Sequence, residues 1–216
     1  MRASELRKMS WNHLKGRYWM VFVAVLIVTA VFSAASASTF GLLTLIITGP
    51  IYVGLAVYLL NVVETDTKGD KLELLLDGFK KNVGNAIVAY ILVTLFTLLW
   101  TLLFIIPGII KAFAYSQTFY ILAEQPDLAP TEAIRKSQEM MKGHKMRLFL
   151  LMLSFLGWFI LGFLAFGFGV LFVLPYFQTT LANFYVDLRG AKKMIVHADD
   201  VEQVNQSDDP FKKYDV

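Results

Sequence analysis

Apolar stretches occur six times along this chain, at roughly 18–36, 40–63, 84–106, 108–124, 146–166 and 168–187. Each approaches the roughly 20 apolar residues that a membrane-spanning helix needs. Charged residues interrupt them only at every second junction. The stretches are therefore paired, by "SASTF", by "IPG" at 106–108 and by "FGFG" at 166–169, and these three joints carry no charge. The pattern predicts an all-α membrane protein of six transmembrane helices in three hairpins. Pro107 opens the fourth segment, where a missing N–H costs little. Pro50 and Pro175 fall inside the second and sixth, where a kink or a short break is expected.

A short amphipathic stretch precedes each hairpin, near 4–15, 71–81 and 131–142. The first places Leu6, Met9 and Leu14 near one face, with Trp11 beside them. The second places Leu72, Leu75, Leu76 and Phe79 at helical spacing. The third sets Ile134 and Met141 seven apart, flanked by Ala133 and Met140, with Pro130 and Glu132 as start signals and Gly143 as a stop. The three end alike, as "LKGR", "FKKN" and "MKGHK". Two readings fit this amphipathicity: helices lying in the cytoplasmic interface with lysines toward anionic headgroups, or helices covering the inner end of the bundle. All three hairpins start from the same side, which makes a parallel repeat rather than an inverted one.

The charges fix the sides. Every Lys and Arg except Lys111 lies in the N-terminal region, in the links after the second and fourth segments, or in the tail, and so does every Asp and Glu. The positive-inside rule then puts both termini and both long links in the cytoplasm. Composition agrees: the 216 residues are 56% hydrophobic and 17% charged, against about 25% charge in soluble domains. One alternative concerns the first segment, since "ASA" at 35–37 matches the cleavage pattern of a signal peptide, although the basic region ahead of it is unusually long. From about 190 the chain turns polar and acidic, which predicts a disordered cytoplasmic tail over 190–216 after a transmembrane domain at 1–189.

Chemistry is sparse. There is no cysteine, and His13, His144 and His197 are far apart, without a metal-ligand spacing. "GFLAFGFG" at 162–169 lacks the Lys-Ser/Thr of a phosphate loop. A net charge of +3 without a basic-aromatic groove gives no nucleic-acid partner. No catalytic constellation and no cofactor are implied, so the chain reads as a non-enzyme. Polar groups within the apolar segments are the remaining candidates. Lys111, Tyr115 and Thr118 share a face of the fourth, and Gln178, Thr179, Thr180 and Asn183 lie on the sixth. Interhelical hydrogen bonding explains them blandly; a polar groove between the fourth and sixth helices explains them functionally, with Lys111, Tyr115, Gln178 and Asn183 as ligand-binding candidates. Lys111 lies near the outer end of its helix, where its stem reaches the outer headgroups. Small residues, among them Ala34, Ala35, Ala37, Gly157 and Gly162, suit close helix contacts.

The stretches "LLFIIPGIIKAFAYSQTFYILAE", "EAIRKSQEMMKGHKMRLFLLMLSFLGW" and "WNHLKG" resemble the bacterial membrane proteins of domain-of-unknown-function family 975, over Leu6 to Tyr185. The resemblance implies a multi-pass protein of the bacterial cell membrane and brings no reaction, ligand or site residues with it. Two functions are expected to compete: binding or transport of a lipid-like or amphipathic ligand in envelope homeostasis, with membrane lipids and anionic headgroups as partners, and a scaffold recruiting partners through its cytoplasmic helices and tail.

Overall fold

A computed structural model describes residues 3–37, 41–65, 72–80, 82–164 and 168–207. Residues 38–40 of the expected joint "SASTF", residues 166 and 167 of that at 166–169, Lys68, Lys71, Lys81 and the last nine residues lie outside them. The described residues are helical, with no strand. In order they form α1 (Ala3–Leu14), α2 (Tyr18–Ala37), α3 (Gly41–Glu64), a 3-10 turn (Leu72–Leu76) leading into α4 (Asp77–Lys80), α5 (Val83–Leu103), α6 (Ile105–Tyr115), α7 (Thr118–Glu124), α8 (Pro130–Met140), α9 (Lys145–Leu164) and α10 (Phe168–Ser207). Among the described residues, four helical stretches are long and apolar enough to cross a membrane: Ile46–Glu64, Val83–Leu103, Ile105–Glu124 and Lys145–Leu164. There are five if Ala3–Leu14 and Tyr18–Ser33, bent by 100°, are taken as one.

Several boundaries differ from the sequence reading. The turn between the second pair of segments is at Phe104, whose extended backbone ends α5 and begins α6, two residues before the expected joint. Pro50 and Pro175 sit inside helices that continue through them. α10 runs on past 190, where the polar tail was expected to begin, to Ser207; neither Gly nor Pro follows Gly190 until Pro210, so nothing local stops it. The fourth segment is two helices, α6 and α7, parted at Ser116–Gln117.

The three amphipathic pieces are where the pattern put them, and their ends share one backbone feature. Gly16, Asn82 and Gly143 have φ of 83°, 45° and 76°, and each separates an amphipathic piece from the long helix after it. Glycine and asparagine are the residues that enter this left-handed region at least cost. The apolar faces of α1 and α8 turn into the bundle: Leu6, Ser10 and Leu14, and Ala133, Ile134 and Ser137, are buried. Met141 just beyond α8 is buried too. The middle piece departs from its expected face. Its 3-10 winding buries Leu75 and leaves Leu76 and Phe79 exposed, because a three-residue turn rotates the side chains off the α-helical stripe.

At the centre stands α3, packed against α1, α2, α4, α5, α7 and α10. Its glycines permit this. A Cβ at Gly54 would run into the Leu75 carbonyl and one at Gly49 into the Ala86 carbonyl, while one at Gly78 of α4 would meet the Pro50 carbonyl. Of the small residues singled out in the sequence, Gly162 does lie against Gly169, but Gly157 faces open space. One end of the bundle gathers the charges. Arg189 of α10 pairs with both Glu64 at the end of α3 and Glu124 at the end of α7, and Tyr185 donates to Glu124 at 2.8 Å. Arg147 of α9 pairs with Asp187 at 2.6 Å. Arg17 donates to the carbonyls of Val62 and Thr65 at 3.2 and 2.7 Å, which ties the start of α2 to the end of α3.

Candidate functional site

The break between α6 and α7 shapes the candidate site. A helix interrupted inside a bundle frees backbone groups that must find new partners. Ser137 of α8 supplies them: its hydroxyl donates to the Ala114 carbonyl at 2.8 Å and accepts from the Gln117 N–H at 3.1 Å. Thr118 Oγ1 donates to the Tyr115 carbonyl at 2.7 Å. Gln117 Nε2 donates to Ser116 Oγ at 2.8 Å. The interruption turns Ser116 and Phe119 toward α3 and α10, onto a cavity of about 180 Å³ walled also by Tyr52, Leu55, Tyr120 and Gln178. A second cavity, of about 150 Å³, lies between α2, α3 and α10. Tyr52, Leu55 and Gln178 line both.

No charged side chain lines either cavity. The polar groups they present are the Gln178 amide, the Tyr52, Tyr120 and Ser116 hydroxyls, and Thr29 and Thr48. The Gln178 side chain makes no hydrogen bond among the described residues, nor does the Tyr52 hydroxyl. Tyr52 is held instead by its ring, stacked on Tyr90 at 6.1 Å and on Phe119 at 5.3 Å between centroids. An amide has two donors and an acceptor with two lone pairs, so the partly buried Gln178 side chain can both donate to and accept from a guest. The arrangement suits an uncharged guest that both donates and accepts. It contains no nucleophile with a base beside it, and among the described residues no group of three His, Asp or Glu is placed to hold a metal.

The four candidate residues named from the sequence do not converge. Gln178 alone lines the cavities. Tyr115 is buried and packs on Phe96, with ring centroids 6.4 Å apart. Asn183 is fully buried against α1, where its amide donates to Ser10 Oγ at 3.0 Å and to the Thr179 carbonyl at 3.1 Å, leaving Oδ1 without a partner. Lys111 sits at the far end, its Nζ 4.8 Å from the centre of the Trp100 ring. The first cavity lies between α7 and α10 with α3 as its third wall, and the face bearing Lys111 is elsewhere. A helix that winds continuously from Lys111 to Thr118 keeps i, i+4 and i+7 on one side; the break at Ser116 and Gln117 disrupts that register. Tyr52 and Ser116 were missed. An aromatic residue inside an apolar run carries no polar signal of its own, and Ser116 gains its place only through the break.

Outside the bundle's apolar length, His144 has its pKa lowered, chiefly by burial and then by Arg147, with Asp187 opposing. Arg189 has its own pKa raised: burial works against its charge, but the hydrogen bonds and charges of Glu64 and Glu124 outweigh it. Both belong to the charged end and neither faces the cavities.

Residues 102–192, from the last turn of α5 into α10, match the model of a family described as a protein of unknown function. The family is DUF975. The match takes in the α10 wall residues Leu174, Gln178 and Leu181, together with the α6–α7 break and Ser137 of α8, and leaves Tyr52 and the rest of α3 outside. No curated protein and no solved structure matches the chain.

Proposed function

We propose that this is a multi-pass membrane protein of a bacterial cell envelope that binds, without chemistry, an uncharged lipid-like molecule between α3, α7 and α10. The six apolar segments are read as six spans in three parallel hairpins, with both termini in the cytoplasm. Two features support that placement. The long links' charges meet at one end, through Arg189, Glu64 and Glu124 and through Arg147 and Asp187. The other supporting feature is the apolar surface: only 11% of Val83–Leu103 is buried, and a helix that apolar and that exposed belongs in lipid.

The observation that carries the ligand reading is Gln178. Its amide lies between two adjoining cavities with no hydrogen-bond partner among the described residues, in walls that hold no charge. A hydroxyl or ester group joined to an acyl or isoprenoid chain answers both the amide and the apolar walls. Scaffolding has less to stand on, because the apolar faces of α1 and α8 are already covered by the bundle. The test is native mass spectrometry with lipid analysis of the purified full-length protein. Enrichment of an uncharged hydroxylated or ester lipid class, lowered by Gln178→Leu, is expected. Lipid retention no different from that of an unrelated helical bundle would end this reading.

A further inference from the structure

A separate and larger cavity, of about 370 Å³, lies on the other side of α10. Its walls are Trp11 of α1, Tyr18 of α2, Trp158 of α9, and Phe172, Val173 and Tyr176 of α10. At about 100° of rotation per residue, Phe172, Val173 and Tyr176 point away from the side of α10 that carries Leu174, Gln178 and Leu181. The two sites therefore share no wall residue.

This slot offers rings and almost nothing else. The Tyr18 hydroxyl donates to the Phe172 carbonyl at 2.6 Å, and the Tyr176 hydroxyl to the Arg7 carbonyl at 3.1 Å. Both phenols are thus engaged by the backbone, which fixes the rings and removes the hydroxyls as ligand contacts. Trp11 meets Tyr176 edge-on with centroids 5.8 Å apart, and Phe22 stacks on Phe172 at 5.3 Å. Trp11, Trp158 and Phe172 are each about half exposed, at 52%, 52% and 49%, so the slot is open along its flank. Its volume is near the bottom of the range for ligand sites, roughly 300–1,000 Å³, which suits part of one acyl chain rather than a whole lipid.

The charge beside it has one sign. Arg7 and Lys8 precede Trp11 by four and three residues on α1, and Lys15 follows it by four, its N–H still bonded to the Trp11 carbonyl at 3.2 Å. These spacings put the cations next to Trp11 on the helix surface. No carboxylate lines the slot. Aromatic walls of this kind also attract organic cations, but a cation here would enter a field of like charge with no counter-ion in the walls. An apolar chain bearing an anionic head satisfies both the rings and the lysine and arginine beside them.

We propose that this slot takes an acyl chain of an anionic phospholipid, with the phosphate held by Arg7, Lys8 and Lys15. It shares with the preceding reading the membrane placement of the bundle, but depends on none of the Gln178 cavity. The test is native mass spectrometry of the full chain loaded with phosphatidylglycerol or with phosphatidylcholine of the same acyl chains. Retention of the anionic lipid should exceed that of the zwitterionic one at least fivefold. Arg7→Gln and Val173→Phe, the first removing charge and the second filling the slot, should each lower it at least threefold and leave neutral-lipid retention unchanged. Should Val173→Phe not fold, Trp158→Ala opens a half-exposed wall and is expected to give the same loss. Equal retention of the two lipids, or retention untouched by both slot variants, would overturn the assignment.

Discussion

α3 and α5 are nearly indistinguishable by apolarity, with mean hydropathies of 1.9 and 2.3 over their spans, yet 61% of the first is buried and only 11% of the second. The difference lies in which residues are small. α3 brings Gly49 and Gly54 to surfaces where carbonyls of α5 and of the 3-10 turn press in, so neighbours surround it. α5 buries only Ala86 and Ala89 and turns Leu95, Leu98, Leu99 and Leu102 outward. In lipid a leucine gains little by leaving the acyl chains for a protein neighbour, and close contact of small residues decides what packs. The two cavities around Gln178 follow from this, since they open along the enclosed helix and not the peripheral one.

The sharpest way to break the comparison is at Gly54. Gly54→Val sets a branched side chain against the Leu75 carbonyl, and overpacking of that kind costs about 3 kcal/mol or more. The expected outcome is loss of monodisperse protein in detergent. Gly157→Ala, with nothing within 4 Å, should instead raise the melting temperature, in line with a gain of about 0.5–1 kcal/mol in a helix interior.

Leucine truncation compares the same two helices directly. Leu59→Ala on α3, where the side chain is 1% exposed, should cost about 2–5 kcal/mol. Leu98→Ala on α5, 60% exposed, should cost less than about 0.5 kcal/mol. Equal losses in a thermal melt would remove the distinction between enclosed and peripheral helix.

Next in size is the charged end. Arg189→Gln leaves Glu64 and Glu124 facing one another at its site and should destabilise by about 2 kcal/mol, between the values for exposed and buried pairs.

A smaller effect, dependent on pH, comes from His144. Its folded pKa is below the ordinary 6.5, so the unfolded chain binds more protons in the interval beneath 6.5. The stability it contributes is present above that value and is lost as pH falls through it. Between pH 7.5 and 5.5 the wild type should lose more melting temperature than His144→Gln. A small effect is also expected of Lys111→Gln, which gives up one cation–π contact with Trp100 worth about 0.5–1 kcal/mol and should leave lipid retention unchanged.

Much of the layout was legible in the sequence because it rests on local rules. The endings "LKGR", "FKKN" and "MKGHK" read as alike, with Gly143 as a stop, and each holds a left-handed residue, Gly16, Asn82 or Gly143. Ile134 and Met141 were expected on one face and are both buried. The site was legible only at Gln178, a polar residue alone on an apolar helix face. What escaped depends on partners distant in the chain. Ser137 reads as an unremarked polar residue of an amphipathic helix until it is seen bridging Ala114 and Gln117. Gly54 reads as a weak point in an apolar helix until the Leu75 carbonyl is seen against it. Hydropathy has no term for either.

The central claim is that an uncharged lipid enters the enclosed side of α3 and does not merely coat the periphery. A photoreactive monoacylglycerol carrying a diazirine in its chain tests this in the full-length protein, with cross-linked peptides mapped by mass spectrometry. The account predicts saturable labelling on peptides containing Tyr52, Phe119 and Gln178, competed by unlabelled monoacylglycerol and reduced by Gln178→Leu. Labelling spread over the outward leucines of α5, without saturation and indifferent to Gln178→Leu, would contradict it.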